Sequence, residues 1–124
     1  MKKHISLVLV AAMLLTTLFS NAVFAAFPDV ETSNNYYKAI LTLQNLGIVD
    51  GDDNGKFNPE NQITRGEFTK MLICAMGYGD FTTEPTEFSD LKDHWARCYI
   101  KTAYDMKIVD GFDDGTFKPN DQVT

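Results

Sequence analysis

The chain has 124 residues, 11 of them basic and 17 acidic, a net charge of −6 and 44% apolar residues. This length holds one compact domain or two small modules that share a core. The acidic balance excludes nucleic acid as an expected partner, and two histidines and two cysteines leave little material for metal or nucleophilic chemistry.

Met1-Lys2-Lys3-His4 is a basic start, Ile5 to Phe19 is an apolar run too short for a comfortable membrane span, and polar Ser20-Asn21 follows. With Val23-Phe24-Ala25 at the cleavage positions, residues 1–25 read as a secretory signal peptide, cut after Ala25. Losing Lys2 and Lys3 takes the net charge to −8. The mature chain is then exported and has no membrane segment. Cys74 and Cys98 fall on different predicted helices, and in an exported chain such a pair either bridges or stays as buried thiols.

After the leader, Phe27-Pro28-Asp29-Val30 is an aromatic opening. Tyr37, Ile40, Leu41, Leu43 and Leu46 then lie near helical spacing, with Ser33 or Asn34 as the cap and Gly47 as the terminator. Asp50 to Pro59 follows, dense in Asp, Asn and Gly, residues that turn the backbone on themselves. It reads as a tight loop with Phe57 pointing inward. Thr64-Arg65-Gly66-Glu67 is a capping box, with Ile63 and Phe68 placed as a hydrophobic staple. Phe68, Met71, Leu72 and Ala75 are the expected buried face of this second helix, and Gly77 closes it.

Tyr78 to Glu87, with Gly79, Thr82, Thr83 and Pro85, is a surface connector, beyond which the pattern starts again. Phe88-Ser89-Asp90-Leu91 repeats the aromatic opening at an offset of sixty-one residues. A helix with Asp93 as candidate cap carries Ala96, Tyr99, Ile100 and Ala103 at i, i+3, i+4 and i+7. Ile108 to Thr124 then repeats Ile48 to Thr64 at an offset of sixty, with ten of seventeen positions identical, where unrelated segments share about one. The change of offset means that one copy has a single extra residue. The expected modules are 26–79 and 88–124, joined by a linker at 80–87. A sixty-residue module is marginal by itself, so the copies are expected to pack on each other. The second copy stops where the first continues through Arg65, which makes it a truncated repeat in an N-terminal fragment.

Taken together, the Phe-x-Asp opening, His94-Trp95-Ala96, the Gly-x-x-Asp-Gly-x-Phe-x-Pro loop of copy two and the Thr-Arg-x-Glu helix start of copy one resemble the S-layer homology (SLH) repeat. The resemblance covers nearly all of Phe27 to Thr124, and its motifs occur in the same order twice. It implies an all-α fold of helix–loop–helix repeats, part of a pseudo-threefold helical bundle with prongs. It further implies a non-catalytic module on a bacterial cell surface, in the wall or S-layer. There it would hold secondary cell-wall polysaccharide, in many cases pyruvylated, in grooves between prongs, with other surface proteins as further partners. The chain departs from the pattern in three places. Asn35-Tyr36 stands where copy two has Trp95-Ala96, Asn54 stands where copy two has Asp114, and Gly66 stands where the family usually has alanine, a change that costs up to about 1 kcal/mol in a helix.

Arg65 is the first candidate for ligand contact. A cation at the first helical position faces the positive end of the helix, unfavourable by roughly 0.3–1 kcal/mol unless something negative is near. Either Glu67 or a ligand carboxylate, gripped by the arginine fork and free amides, fills that need. Trp95 either stacks on a sugar ring or lies in the interface between copies. Asp29 and Asp90 are candidates for sugar hydroxyls and equally for turn residues. Gly51 and Gly111 allow close backbone approach, which the turn itself also requires.

Two rival classes match parts of the sequence. Asp50-x-Asp52-x-Asn54-Gly55 matches the first half of a calcium loop, but Asn61 stands at position 12 in place of a bidentate glutamate, and copy two puts Phe112 at position 3. No nucleotide loop, nucleophile elbow or metal-spaced cluster appears, so no catalytic residue, metal or cofactor is expected. Calcium binding, protein interaction, and service as the N-terminal anchor of a surface enzyme are the alternatives to polysaccharide binding.

Overall fold

The computed structural model describes residues 26–78 and 85–123. The expected leader, most of the expected linker and Thr124 lie outside the described residues. Among these, the regular elements are three α-helices, α1 (Tyr37–Asn45), α2 (Arg65–Ala75) and α3 (Arg97–Asp105), with a 3-10 turn at Ser89–Leu91. The chain is all-helical. One isolated antiparallel bridge, Thr64 to Gln122, ties the two copies together.

Each copy builds its own apolar cluster in the same way. Phe27, Val30, Ile40, Ile48 and Val49 form the first, with Phe57, Met71 and Cys74 packed against it. Phe88, Leu91, Ala96, Ile100 and Phe117 form the second. The aromatic opening meets the loop aromatic in both, with ring centroids 5.4 Å apart for Phe27 and Phe57 and 5.6 Å for Phe88 and Phe117.

The helix ends follow local chemistry. Thr64 and Glu67 make the expected reciprocal capping box. All three helices close in a Schellman turn, whose amides two and one past the last turn reach back to orphan carbonyls. These are Ile48 to Leu43 and Gly47 to Gln44 after α1, Tyr78 to Ile73 and Gly77 to Cys74 after α2, and Ile108 to Ala103 and Lys107 to Tyr104 after α3. The left-handed position is glycine twice, at Gly47 and Gly77, and lysine once, at Lys107 with φ +60°.

Neither α1 nor α3 has a side-chain cap on its helical amides, which corrects the expected roles of Ser33, Asn34 and Asp93. Instead Asn34 Oδ1 accepts from the Tyr36 amide, and His94 Nδ1 accepts from the Ala96 amide. Both close the turn just before the helix. These bonds pair Asn34 with His94 at an offset of sixty, so copy one carries its extra residue between Val30 and Asn34.

The buried face of α2 also differs from expectation. Gly66, Thr69 and Ile73 are buried, whereas Phe68 is 47% exposed. Close approach explains the choice: α2 packs against α3, and at that contact small side chains let the backbones meet. A Cβ on Gly66 would lie 3.4 Å from the Cβ of Ala96 and 3.1 Å from the Pro119 carbonyl oxygen. Thr69 satisfies its buried hydroxyl on the Arg65 carbonyl at 2.7 Å. Cys74 and Cys98, on α2 and α3, are free thiols and half-buried.

Asp29 and Asp90 fasten the openings to the loops. Asp29 accepts from the amides of Phe57 and Asn58 at 2.9 and 2.6 Å, and Asp90 from those of Phe117 and Lys118 at 3.0 and 2.8 Å. Asn58 and Lys118 are both left-handed, with φ of 56° and 58°, which turns two successive amides toward one carboxylate. Gly51 and Gly111 pass beneath the opening aromatics. A Cβ on Gly51 would sit 2.7 Å from a Phe27 ring carbon, and one on Gly111 would overlap the Phe88 ring and lie 2.8 Å from the Thr116 carbonyl oxygen.

Three outcomes follow from these contacts. Lys107→Gly relieves left-handed strain of about 1 kcal/mol while losing a cation–π contact with Tyr104 of about 0.5 kcal/mol. Chemical unfolding should therefore show a small net gain in stability. Gly111→Ala meets a ring and a backbone carbonyl at once and should cost about 1–3 kcal/mol or more, read as a lower melting temperature. For pH, loss of water around Asp29 opposes ionisation, but the amides of Phe57 and Asn58 and the nearby Lys56 outweigh it and hold its carboxyl below the usual range. Asp52 is lowered by the Lys56 amide and the Asn58 side chain, and Asp114 by the Thr116 hydroxyl and amide. The unfolded chain therefore takes up these protons first. Their stabilisation is complete above the ordinary aspartate value of about 3.9 and is lost as pH falls through the lowered folded values. Melting temperatures should decline on acidification below about pH 4, and less steeply in Asp29→Asn.

Candidate functional site

The site forms where the start of α2 enters the loop of the second copy. Four backbone amides lead the first turn of a helix without intrahelical partners. Here the amide of Arg65 donates to the Asp121 carbonyl and that of Gly66 to the Pro119 carbonyl, both at 2.8 Å. The Val123 amide donates in return to Ile63 at 2.9 Å. The start of α2 is thus capped twice, by its own Thr64 and by the neighbouring copy.

Arg65 extends across the same loop. Its Nε donates to the Phe117 carbonyl at 2.9 Å and its Nη2 to the Asp110 carbonyl at 3.2 Å. The guanidinium carbon lies 4.4 Å from the centroid of the Phe117 ring and 5.0 Å from that of Phe112. Glu67 is not its partner: the Glu67 carboxylate receives the Thr64 amide and hydroxyl, each at 2.8 Å. Among the described residues no carboxylate lies within ion-pair distance of Arg65. Carbonyl dipoles and ring faces hold the cation, and among the described residues no bond occupies its Nη1.

Lys118 brings a second cation to the same place. Its Nζ lies 4.1 Å from the Phe112 centroid and 3.4 Å from an Asp114 oxygen. Phe112 therefore faces two cations in a strongly acidic chain. Sequence reasoning missed Phe112 as a floor for the site. The available signal was an aromatic residue at the position where copy one has Asp52, in a loop whose other residues are explained by turn chemistry.

Trp95 is 55% exposed, so the reading that buries it between the copies is overturned. The small neighbour Ala96, wholly buried, takes the interface position against Gly66. Beside Trp95, the His94 ring lies 5.5 Å away centroid to centroid. With His94 Nδ1 accepting from Ala96, Nε2 carries the proton and donates to Asn120 Oδ1 at 3.2 Å. This bond fixes the stretch before α3 to the tip of the second loop.

The structure thus gathers Arg65, Asp90, Gly111 and the stretch bearing Trp95 around the second loop, whereas Asp29 and Gly51 belong to the first. The half-match to a calcium loop does not converge. Asp50 pairs with Lys70, while Asp52 Oδ1 accepts the amides of Asn54 and Lys56 and its Oδ2 the Asn58 side chain. Among the described residues no three His, Cys, Asp or Glu side chains gather as a metal site.

Comparison with known proteins places this geometry. The family model for the S-layer homology domain matches residues 26–69 and 87–124. A surface layer protein of Brevibacillus choshinensis is 30% identical over 131 residues, covering 100% of this chain and 12% of that protein. A cellulosome-anchoring protein of Acetivibrio thermocellus is 30% identical over 101 residues, covering 78% of this chain and 23% of that protein. An endoglucanase of Bacillus sp. strain KSM-635 is 32% identical over 98 residues, 79% of this chain and 10% of the enzyme. The chain thus spans less than a quarter of each of these relatives. Its two matched segments cover most of its own length, and it belongs to the S-layer homology domain family, the non-catalytic domain of bacterial cell-surface proteins.

Proposed function

We propose that the chain holds a surface protein on the bacterial wall by non-covalent binding of a secondary cell-wall polysaccharide, with an acid group of the polymer, such as a pyruvyl ketal, at Arg65. The observation that carries this reading is the charge of Arg65. It is half-buried, lies at the positive end of α2, has no carboxylate partner among the described residues, and keeps Nη1 open. A ligand carboxylate there gains a charge-assisted bond and relieves the clash with the helix end. Lys118 adds a second positive charge within reach of the same ring.

In this reading Trp95 offers an exposed aromatic face to a sugar ring. Asp90 and Gly111 act through the second loop, the carboxylate receiving the turn amides and the glycine admitting the opening aromatic, so that the backbone beside the ligand keeps its shape; Asp29 and Gly51 do the same for the first loop. The cellulosome-anchoring relative supports the anchoring role.

Sedimentation with Gram-positive wall sacks, intact or stripped of their secondary polymer, tests the proposal. Trp95→Ala should weaken binding by about 2- to 12-fold, the loss of roughly 0.5–1.5 kcal/mol of aromatic contact. Its melting temperature should hardly move, because an exposed position usually changes stability by no more than about 0.5 kcal/mol. Arg65→Ala should abolish binding and also cost about 1–3 kcal/mol of stability through the lost carbonyl and ring contacts. Equal binding to intact and stripped walls would overturn the polysaccharide reading.

A further inference from the structure

The tips of the two loops differ at a position with chemistry of its own. Asn54 is the one asparagine of the chain followed by glycine. With no Cβ to shield it, the Gly55 nitrogen is open to the Asn54 side chain in a way that a bulkier neighbour prevents. Both residues are exposed, and a Cβ on Gly55 would meet nothing within 4 Å. The Gly55 amide donates to the Asp52 carbonyl at 2.8 Å, a bond within the tip itself. Local opening of that turn frees the nitrogen while both apolar clusters stay packed.

The second loop shows what an aspartate at this position requires. Asp114 stands there, Gly115 repeats the left-handed turn with φ +77° against +71° at Gly55, and the Gly115 amide donates to the Phe112 carbonyl at 3.0 Å. Asp114 accepts the amide and hydroxyl of Thr116 and pairs with Lys118. Two residues before it, Phe112 is uncharged. In the first loop that place belongs to Asp52, whose carboxylate receives the Asn54 and Lys56 amides and the Asn58 side chain. The Asn54 side chain further favours the charged form of Asp52. Asn58 takes the place of the Lys118 cation, and Lys56, the cation within this tip, already serves Asp29. The neutral amide at 54 thus matches the carboxylate at 52, as Asp114 matches Phe112 and Lys118.

We propose that Asn54 is a site of spontaneous deamidation, with water as the reactant, and that the product unfastens the first loop. The Gly55 nitrogen loses its proton to hydroxide and bonds to Cγ of Asn54; the Cγ–Nδ2 bond breaks, and ammonia leaves with a proton returned by water. Water then opens the cyclic imide. Cleavage between Cγ and nitrogen gives aspartate, and cleavage between the backbone carbonyl carbon and nitrogen gives isoaspartate, whose main chain is longer by one carbon. In sum an amide and a water become an acid and an ammonia, with no change of oxidation state. Aspartate sets its charge against Asp52, and isoaspartate also displaces the Asn54 and Lys56 amides from the Asp52 carboxylate. Either product weakens the turn that presents Phe57 and Asn58 to Asp29.

Incubation of the full chain at mildly alkaline pH, followed by digestion and mass spectrometry, tests the reaction. The peptide containing Asn54 should gain about one mass unit and separate into two isomers, while peptides holding the other asparagines keep their mass. Isomerisation at Asp50, Asp110 or Asp114, each also followed by glycine, adds no mass and leaves this reading clear. Asn54→Gln should abolish the gain. No gain at Asn54, or gain spread evenly over the asparagines, would overturn the site. Its consequence is read on Asn54→Asp, which should melt about 2–4 °C below the native chain and recover in high salt. With Asp52→Phe, the pairing of the second loop, the same change should cost nothing further; Asp52→Asn serves if the phenylalanine variant does not fold. An Asn54→Asp chain as stable as the native one, or an equal loss in both backgrounds, would overturn the effect on the loop.

Discussion

The seating of the first turn of α2 in the loop of the second copy is the contact on which the rest of the arrangement depends. A helix start brings unpaired amides that must find acceptors, and Thr64 supplies only part of the need. The carbonyls of Pro119 and Asp121 supply the rest from the other copy. Because the first cluster includes Met71 and Cys74 of α2, the same helix lies on one core while it caps on the next loop. Two copies, each marginal in size for a core of its own, are thereby joined through one element. The close approach this requires explains Gly66, whose place a larger residue fills only if Pro119 gives way.

The seat itself is built from a loop held in shape by one carboxylate. Asp90 gathers two consecutive amides, the left-handed Lys118 presents the second of them, and Gly111 leaves room for the Phe88 ring underneath. With the amides turned inward to the carboxylate, the neighbouring carbonyls of Phe117 and Pro119 turn outward to receive α2. An acidic residue seven positions before the start of α3 thus determines where Arg65 can bind, acting through Phe117, whose amide Asp90 accepts and whose carbonyl receives Arg65.

Legibility in the sequence follows the range of the interaction. The capping box and the glycine-closed ends of α1 and α2 involve residues within a few positions of one another, and their residue types report them directly. The all-helical class and the doubling were equally plain, as was the stripe of Ala96, Tyr99, Ile100 and Ala103 leading into and along α3, wholly buried except for the half-buried Tyr99. The buried face of α2 was not, because apolarity pointed to Phe68 and Leu72 while helix contact selected Gly66 and Thr69 for size. The partner of Arg65 was hidden for a different reason. Carbonyls and ring faces forty-five to fifty-two residues away carry no charge that a sequence displays, so Glu67 was the one partner within the chain set beside a ligand carboxylate. Trp95 misled in the same way, its size suggesting the core position that its small neighbour Ala96 holds.

A chain of net charge −6 repels an anionic polymer at long range, so any attraction must act within the screening distance of about 8 Å at physiological salt. The environment of Arg65 suits that constraint. Ring faces and backbone carbonyls hold the guanidinium without neutralising it, whereas a carboxylate partner would have cancelled the field that a ligand meets. Lys118 lies over the same Phe112 ring while it pairs with Asp114, so a second positive charge shares that floor, partly offset by the aspartate. Partial burial weakens solvent screening around them, which strengthens a short contact with an acid group while leaving distant repulsion to the salt. For the proposed polysaccharide, selection therefore operates at contact: a polymer whose acid group cannot reach Nη1 gains nothing to offset the acidic surface.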